Sequence, residues 1–449
     1  MTPEEIARFD RAVPRYTSYP TAPHFTSAVD AACYRRWLGG VRAGDALSLY
    51  VHVPFCAKLC WFCGCQTAVV NRYGPVARYL DTLGREIEMV GDALSGRGRV
   101  AHLHWGGGTP TMLRADDIAA LAGRLRARFA FAADAEFAVE VDPRGMSRET
   151  ADALGAAGVT RASLGVQDFN PEVQRAVNRI QPFEETARVV GWLRAAGVGA
   201  LNVDLLYGLP RQTEAGIVET VDRTLELAPQ RIALFGYAHV PWMKRHQRLI
   251  DEARLPDAVA RVRLARAAAA RLEERGYLAI GLDHFALPDD ALAVALRASR
   301  LRRNFQGYTT DRAALLIGLG ASAIGTLSEG YVQNAAETPA YEKAIATGDL
   351  AVVRGVAIDD EDRLRRDIIE RLMCDLAVDL DAVCRVHGRS ADDFAAEIAA
   401  LAPLVDAGAV RVEGARVAVM PETRLLLRLA CAAFDRHFVP APEQHARAV

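Results

Sequence analysis

The sequence predicts an α/β fold: a partial or full parallel (β/α) barrel with an N-terminal arm and a mostly helical C-terminal domain. Three observations carry this expectation. Short apolar runs alternate with helical stretches from about residue 46, the pattern of βαβ units on a parallel sheet. About six such units occur, enough for a barrel or most of one. Five successive strands end in polar or glycine residues, and in parallel barrels the strand C-termini form one shared cleft. An open doubly wound sheet is the competing arrangement, because sequence alone does not fix closure.

The elements follow in chain order. Residues 1–45 read as an arm. Pro14, Pro20 and Pro23 interrupt any helix, and Arg15-Tyr16-Thr17-Ser18-Tyr19-Pro20 reads as extended. Tyr16, Tyr19 and Phe25 suggest that it packs on something. Residues 46–350 form the barrel. Strands are expected at 48–53, 100–104, 136–141, 162–166, 200–206 and 231–237, with helices at 75–94, 116–130, 171–178, 184–196, 213–227 and 257–275. Residues 351–449 form the C-terminal domain. A periodic stretch begins at Asp359-Asp360-Glu361 and carries Leu364, Ile368 and Leu372. A later helix, strand pair and helix give a winged-helix outline. No concentrated basic face accompanies it, so DNA binding is disfavoured.

Composition narrows the function. The chain has 449 residues, 51% hydrophobic and 24% charged, which are globular values. A net charge of −2 argues against nucleic acid as the main partner. No apolar run approaches the ~18 residues of a membrane span. The first residues, Met1-Thr2-Pro3-Glu4-Glu5, are acidic and lack the apolar core of a signal peptide. A cytoplasmic, monomeric protein is expected, in a compartment where clustered cysteines serve as metal or redox ligands.

Cys56, Cys60, Cys63 and Cys65 fall within ten residues, just after the first strand. The other four, Cys33, Cys374, Cys384 and Cys431, are scattered and read as packing residues. The spacing C-x3-C-x2-C lacks the second knuckle that zinc would need. A thioredoxin-type pair is poor amid two further thiols. An iron–sulfur cluster suits thiolates on a short loop. With three ligands, one iron of a cubane keeps an open site. Cys65 could close it as a fourth ligand, but only Gly64 separates it from Cys63, and that strain argues against both binding one cubane.

This loop, after the first strand of a β/α barrel, resembles the radical S-adenosylmethionine superfamily. The wider sequence resembles the oxygen-independent coproporphyrinogen III oxidase family. The matching stretches are Pro14 to Thr21, Tyr50 to Cys56, Cys63-Gly64-Cys65, His104 to Pro110, Glu140 to Arg144, Gly165 to Phe169, Asp204 to Pro210 and Arg303 to Tyr308. The arm and Cys65 point to the oxidase within the superfamily.

The resemblance implies a [4Fe–4S] cluster on Cys56, Cys60 and Cys63, with S-adenosyl-L-methionine on the open iron. A 5′-deoxyadenosyl radical would take hydrogen from a propionate, and loss of CO2 and an electron would leave a vinyl group. Two such events would turn coproporphyrinogen III into protoporphyrinogen IX, in haem biosynthesis. Two S-adenosylmethionine molecules are implied. Tyr50, Gly107, Glu140, Ala238 and Ile324 match positions around the first, and Phe62, Gly108, Thr109, Gln167, Arg179 and Asp204 those around the second. Cys65, Arg15 and Tyr16 are the candidate catalytic residues. An electron donor such as flavodoxin and an electron acceptor are implied partners. The rival readings are a haem chaperone or a haem-modifying enzyme of the same superfamily.

The residues themselves fit these roles. Gly106 to Gly108 allow close approach of backbone to ligand, and a tight turn alone would need one glycine rather than three. Glu140 can accept from hydroxyls or offset a sulfonium cation. A substrate with four propionates needs local cations, and Arg297, Arg300, Arg302 and Arg303 form a candidate run. Lys244-Arg245-His246-Gln247-Arg248 reads instead as a solvated basic face.

Overall fold

A computed structural model describes residues 2–440 and 447. The six expected apolar runs form strands β1 (Ala46–Val53), β2 (Arg99–Gly107), β3 (Phe131–Val141), β4 (Arg161–Gln167), β5 (Ala200–Tyr207) and β6 (Arg231–Gly236). They lie side by side in that order, each parallel to the next. The order never reverses, which excludes a doubly wound sheet. Right-handed crossovers running in one direction put their helices on one face. The helix Gly74–Leu94 accordingly touches Ala115–Arg128, which touches Arg148–Ala156, which touches Phe183–Ala195.

The sheet grows at both sides. β7 (Leu278–Ile280) and β8 (His284–Ala286) add antiparallel strands beyond β6. On the other side β9 (Leu315–Leu319) pairs parallel with β1, and β10 (Ile324–Leu327), β11 (Gly330–Asn334) and β12 (Val352–Ala357) follow antiparallel. Among the described residues the sheet has twelve strands, and β12 and β7 end it without pairing to each other. The barrel is therefore partial.

Period-two alternation decides what faces what. In β4 and β5 every second residue, such as Leu164 and Val203, is buried in the apolar core. Ser163, Gly165, Gln167, Asn202 and Asp204 alternate with them and are only half-buried, on the opposite face. Gln167 and Asp204 come from this face, the cysteine loop and the glycine run from strand C-termini, Arg179 from the turn after the helix Pro171–Ala176, and Arg15 and Tyr16 from the arm.

The arm differs from expectation at its start. Pro3–Phe9 is a helix, closed by a Thr2–Glu5 capping box with proline in its first turn. Its Ile6 and Phe9, with Val13, Tyr16 and Tyr19, pack against Leu364, Ile368, Leu372 and Phe434. The C-terminal part contains the helix Asp360–Asp375, the helix Leu427–Ala433 and the expected strand pair, Val410–Glu413 with Arg416–Val419. Ala377–Asp379 adds a third strand. Cys33, Cys374, Cys384 and Cys431 are all buried, as packing residues should be. Among the described residues no helix is long and apolar enough to cross a membrane.

Candidate active site

The cysteine loop leaves the C-terminal end of β1 and is held from three sides. Cys56 Sγ accepts from Thr67 Oγ1 at 3.2 Å and Thr109 Oγ1 at 3.3 Å. Cys60 Sγ accepts from Arg144 Nη2 at 3.2 Å and Arg179 Nη1 at 3.4 Å. The Cys65 thiol hydrogen-bonds to Cys63 and holds the Cys63 thiol below its ordinary range. Hydrogen bonds and cations at sulfur are what an iron–sulfur site uses to stabilise thiolates. The donor set is three soft sulfurs. Among the described residues no three Cys, His, Asp or Glu side chains converge as ligands of a single ion would. A cluster does not need that convergence, because each cysteine takes a different iron. The residues fit the group.

Asp142 organises the cationic side. It is nearly enclosed and lies 2.6 Å from Arg144 Nη2 and 3.3 Å from Arg179 Nη2. Burial raises its pKa, but the Arg179 and Arg144 guanidiniums overcome that and hold it below the usual carboxylate range. Arg179 Nη2 also donates to the Gly165 carbonyl at 2.5 Å. Gln167 sits beside this pair in the left-handed region, φ 72°, where the β4–β5 register shifts. A Cβ on Gly165 would stand 3.1 Å from both Arg179 Nη2 and Gln167 Nε2.

The glycine run is packed at all three positions. A Cβ on Gly106 would stand 2.6 Å from Glu140 Oε1, one on Gly107 2.6 Å from the His52 ring, and one on Gly108 2.5 Å from the Phe55 carbonyl. Gly107, at φ 113°, donates its amide to Glu140 Oε2 at 2.9 Å, and His104 Nε2 lies 3.3 Å from Oε1. Burial raises the Glu140 pKa, yet His104 and the Gly107 amide bring it below the ordinary value. Tyr50 stacks on His104, 5.8 Å between ring centroids, and its hydroxyl is 3.0 Å from His52 Nδ1. Asp204 is held by Asn202 Nδ2 at 2.7 Å and Ser163 Oγ at 3.2 Å. Burial, with the Glu140 charge behind it, pushes its pKa up to about 6.

The remaining expected residues fall as follows. Ile324 lies one strand further out: its carbonyl would be 2.6 Å from a Cβ on Gly318, the register partner of Tyr50. Phe62 packs beside Val173, Val177 and Tyr237, and Trp61 donates its amide to the Val177 carbonyl at 3.0 Å. Ala238 and Cys65 line one cavity of about 1460 Å³ that also contains Arg15 and Arg303. Tyr16 does not join them. It is 4% exposed, and its hydroxyl donates to Asp435 at 3.0 Å, turned toward the C-terminal helices.

Two arginine expectations change. Of the run at 297–303, only Arg303 lines the cavity. Arg297 donates to the Pro288 carbonyl, Arg302 pairs with Glu370 at 2.9 Å, and Arg300 is exposed. The 244–248 segment is a solvated face only in part: Arg245 and Arg248 are exposed, but the other three turn inward. Lys244 Nζ donates to the Cys65 carbonyl at 3.1 Å, His246 Nε2 lies 2.8 Å from the Cys63 carbonyl, and Gln247 Nε2 donates to Phe62 and Ala238 carbonyls at 3.1 and 3.2 Å. This segment clamps the cysteine loop. Its signal in the sequence is position: it follows the C-terminal end of β6 after a short loop that carries Ala238 and His239.

Known proteins bear on this geometry. The radical SAM superfamily pattern matches residues 50–224. An oxygen-independent coproporphyrinogen III oxidase of Bradyrhizobium diazoefficiens is 50% identical over 440 residues, 98% of each chain. One from Paracoccus denitrificans is 46% identical, over 98% of this chain and 97% of its own. The solved structure of the coproporphyrinogen III oxidase HemN from Escherichia coli, described as a radical SAM enzyme, superposes with a TM-score of 0.90 at 42% identity. The match covers 94% of this chain and 98% of that one.

Proposed function

The chain belongs to the oxygen-independent coproporphyrinogen III oxidase family of radical SAM proteins, and from that membership we propose that it oxidatively decarboxylates two propionates of coproporphyrinogen III to vinyl groups, giving protoporphyrinogen IX. One observation beyond the family match supports the reading. A single cavity connects Cys65, at the cysteine loop, with the arm's Arg15.

The radical SAM family implies a [4Fe–4S] cluster and S-adenosylmethionine, which when bound supply one electron and a hydrogen-abstracting radical. The chain's own residues do the rest. Cys56, Cys60 and Cys63 hold the cluster. Glu140, fixed by the Gly107 amide and His104, offers a carboxylate suited to the amino-acid end or ribose of the first S-adenosylmethionine. A second molecule would sit toward Gln167, Arg179 and Asp204. Cys65 stands at the boundary between the cluster loop and the substrate cavity.

Arg15 is the leading propionate anchor. Burial lowers its pKa, but a guanidinium stays charged at any physiological pH. Its side chain is open to the cavity, and neither a hydrogen bond nor an ion pair to its guanidinium occurs among the described residues. A cation placed so is a site for a carboxylate. Enclosure by the arm, through Asp10, Arg15 and Thr17, and by the C-terminal part, through Leu425 and Arg428, would keep water from reactive intermediates. A flavodoxin-like one-electron donor, an electron acceptor, a monomeric state and a cytoplasmic location complete the reading.

The test is anaerobic. Reconstituted protein, reductant, S-adenosylmethionine and coproporphyrinogen III should yield protoporphyrinogen IX with methionine and 5′-deoxyadenosine. Formation of 5′-deoxyadenosine without vinyl product, together with tight haem binding, would replace the oxidase by a haem chaperone.

A further inference from the structure

Asp283 is a carboxylate in a cavity otherwise suited to anions. It lines the cavity with Arg15, Arg303 and Cys65. Its backbone fixes it at the functional end of the sheet. The Asp283 carbonyl accepts from the Leu234 amide at 2.7 Å, and its neighbour His284 pairs with Ala233 across β6 and β8. Leu234 lies on the strand that leads directly to Ala238.

The side chain is held in one pose. Asp283 Oδ1 is 2.8 Å from His284 Nδ1. The His284 ring meets Phe235 and Tyr308 edge-on, with centroids 5.5 and 5.2 Å away. Gly307 leaves room for that ring: a Cβ there would be 3.2 Å from its Cε1 and Nε2. About one sixth of the Asp283 side chain, 16%, remains accessible from the cavity. Burial raises its pKa, but His284, then Arg303 and Arg15, hold it below the usual range, so it is ionised at neutral pH.

A structural counter-ion is the obvious alternative. Yet neither Arg15 nor Arg303 comes within 4.0 Å of the Asp283 carboxylate. Of the other acids of the cavity wall, Glu422 is exposed, and three are engaged elsewhere. Asp10 pairs with Arg447 at 2.8 Å, Asp257 caps a helix through the Ala260 amide, and Glu273 faces Arg424 at 3.9 Å. A fixed anion near Arg15 repels propionates unless the same substrate offers it donors. A porphyrinogen does offer them. Its inner rim carries four pyrrole N–H groups with no internal acceptor, and its sp3 bridges let the rings tilt so that these donors point to one side. An ionised carboxylate has about four acceptor positions.

We propose that Asp283 accepts the pyrrole N–H groups of the bound porphyrinogen and thereby centres the macrocycle while Arg15 takes a peripheral carboxylate. The inference rests on the oxidase reading above. It assigns Asp283 a binding role and makes it a determinant of selectivity. The reduced macrocycle presents four N–H donors, whereas the oxidised porphyrin presents two.

The experiment measures anaerobic affinities of the holoenzyme for coproporphyrinogen III and coproporphyrin III, beside kcat and KM. Wild type, Asp283→Asn and Asp283→Ala are compared, with iron content and S-adenosylmethionine affinity as controls. Asp283→Ala should raise KM at least tenfold and erase most of the preference for the reduced ligand. Asp283→Asn, with one carbonyl acceptor left, should fall between. Iron content and S-adenosylmethionine binding should not change. Equal weakening of both ligands would make Asp283 merely structural and overturn the proposal. Tighter binding of both would show that it acts only by repulsion, which overturns it too. Wild-type protein that fails to make protoporphyrinogen IX would instead remove the oxidase reading itself.

Discussion

Arg303 Nη1 donates to the carbonyl oxygen of Arg15 at 2.7 Å, joining residues 288 positions apart. The same nitrogen reaches the Tyr16 carbonyl at 2.7 Å. The guanidinium therefore holds the arm backbone at the point where the Arg15 side chain enters the cavity. Arg303→Gln removes a charged donor, a loss of about 1.5–3 kcal/mol, or roughly ten- to a hundredfold in kcat/KM for the porphyrinogen. Iron content and S-adenosylmethionine affinity should stay at wild-type levels. Equal damage to all three would mean that Arg303 supports folding rather than the arm.

Gly106 faces the Glu140 carboxylate so closely that Gly106→Ala forces it to move. The displaced carboxylate would give up the Gly107 amide and His104. Affinity for S-adenosylmethionine should fall by roughly ten- to a hundredfold, the weight of a charged hydrogen bond. The cysteine ligands lie on another loop, so the visible absorption of the cluster should survive. Unchanged S-adenosylmethionine binding in this variant would detach Glu140 from that ligand.

How far the sequence carried these arguments differs by element. The strands from Ala46 to Gly236 were readable because each is an apolar run bounded by turn residues and followed by an amphipathic helix. The strands from Leu315 to Ala357 were not. They are short, and Gly318, Gly320, Gly325 and Gly330 break their pattern, since neighbouring backbone leaves no space for a Cβ. The helix Pro3–Phe9 shows in the sequence only through its Thr2–Glu5 capping box, which the prolines further along the arm mask. At the site, the cysteine spacing and the glycine run were legible because their chemistry is local. The Asp142–Arg144–Arg179 cradle and the Lys244–Gln247 clamp join distant segments, and only the fold brings them to Cys60 and Cys63. Tyr16 and Arg302 show the reverse: a residue beside a site in sequence can turn its side chain away.

Lys244 and His246 tie the cysteine loop to the segment after β6, through the Cys65 and Cys63 carbonyls. Lys244→Ala removes a charge-assisted bond of about 1.5–3 kcal/mol, and His246→Ala a weaker one of about 0.5–1.5 kcal/mol. Both variants should assemble the cluster, since no sulfur is changed. Iron release to a chelator should be several-fold faster, with Lys244→Ala the more labile. Wild-type release rates in both would show that the loop is held by its own packing.

Glu86 makes a pH prediction that is independent of the cofactors. It is 1% exposed and accepts from the Gly320 amide at 2.6 Å, Tyr341 Oη at 2.7 Å and Asn334 Nδ2 at 2.6 Å. Burial outweighs these donors and pushes its pKa up to about 7, from 4.5. Between those values the folded protein holds a proton that the unfolded chain has released. Stability from this group therefore falls as pH rises from about 4.5 to 7, by about 3 kcal/mol at full extent. Glu86→Gln copies the protonated acid and cannot titrate. Its fixed cost, an amide N–H facing other donors, is the same at every pH. The difference in unfolding free energy between wild type and Glu86→Gln should thus drift toward the variant as pH is raised through this window. Denaturant unfolding at pH 5.5 and 7.5 measures that drift. Parallel behaviour at the two pH values would mean that Glu86 is already ionised throughout, stabilised by its three donors.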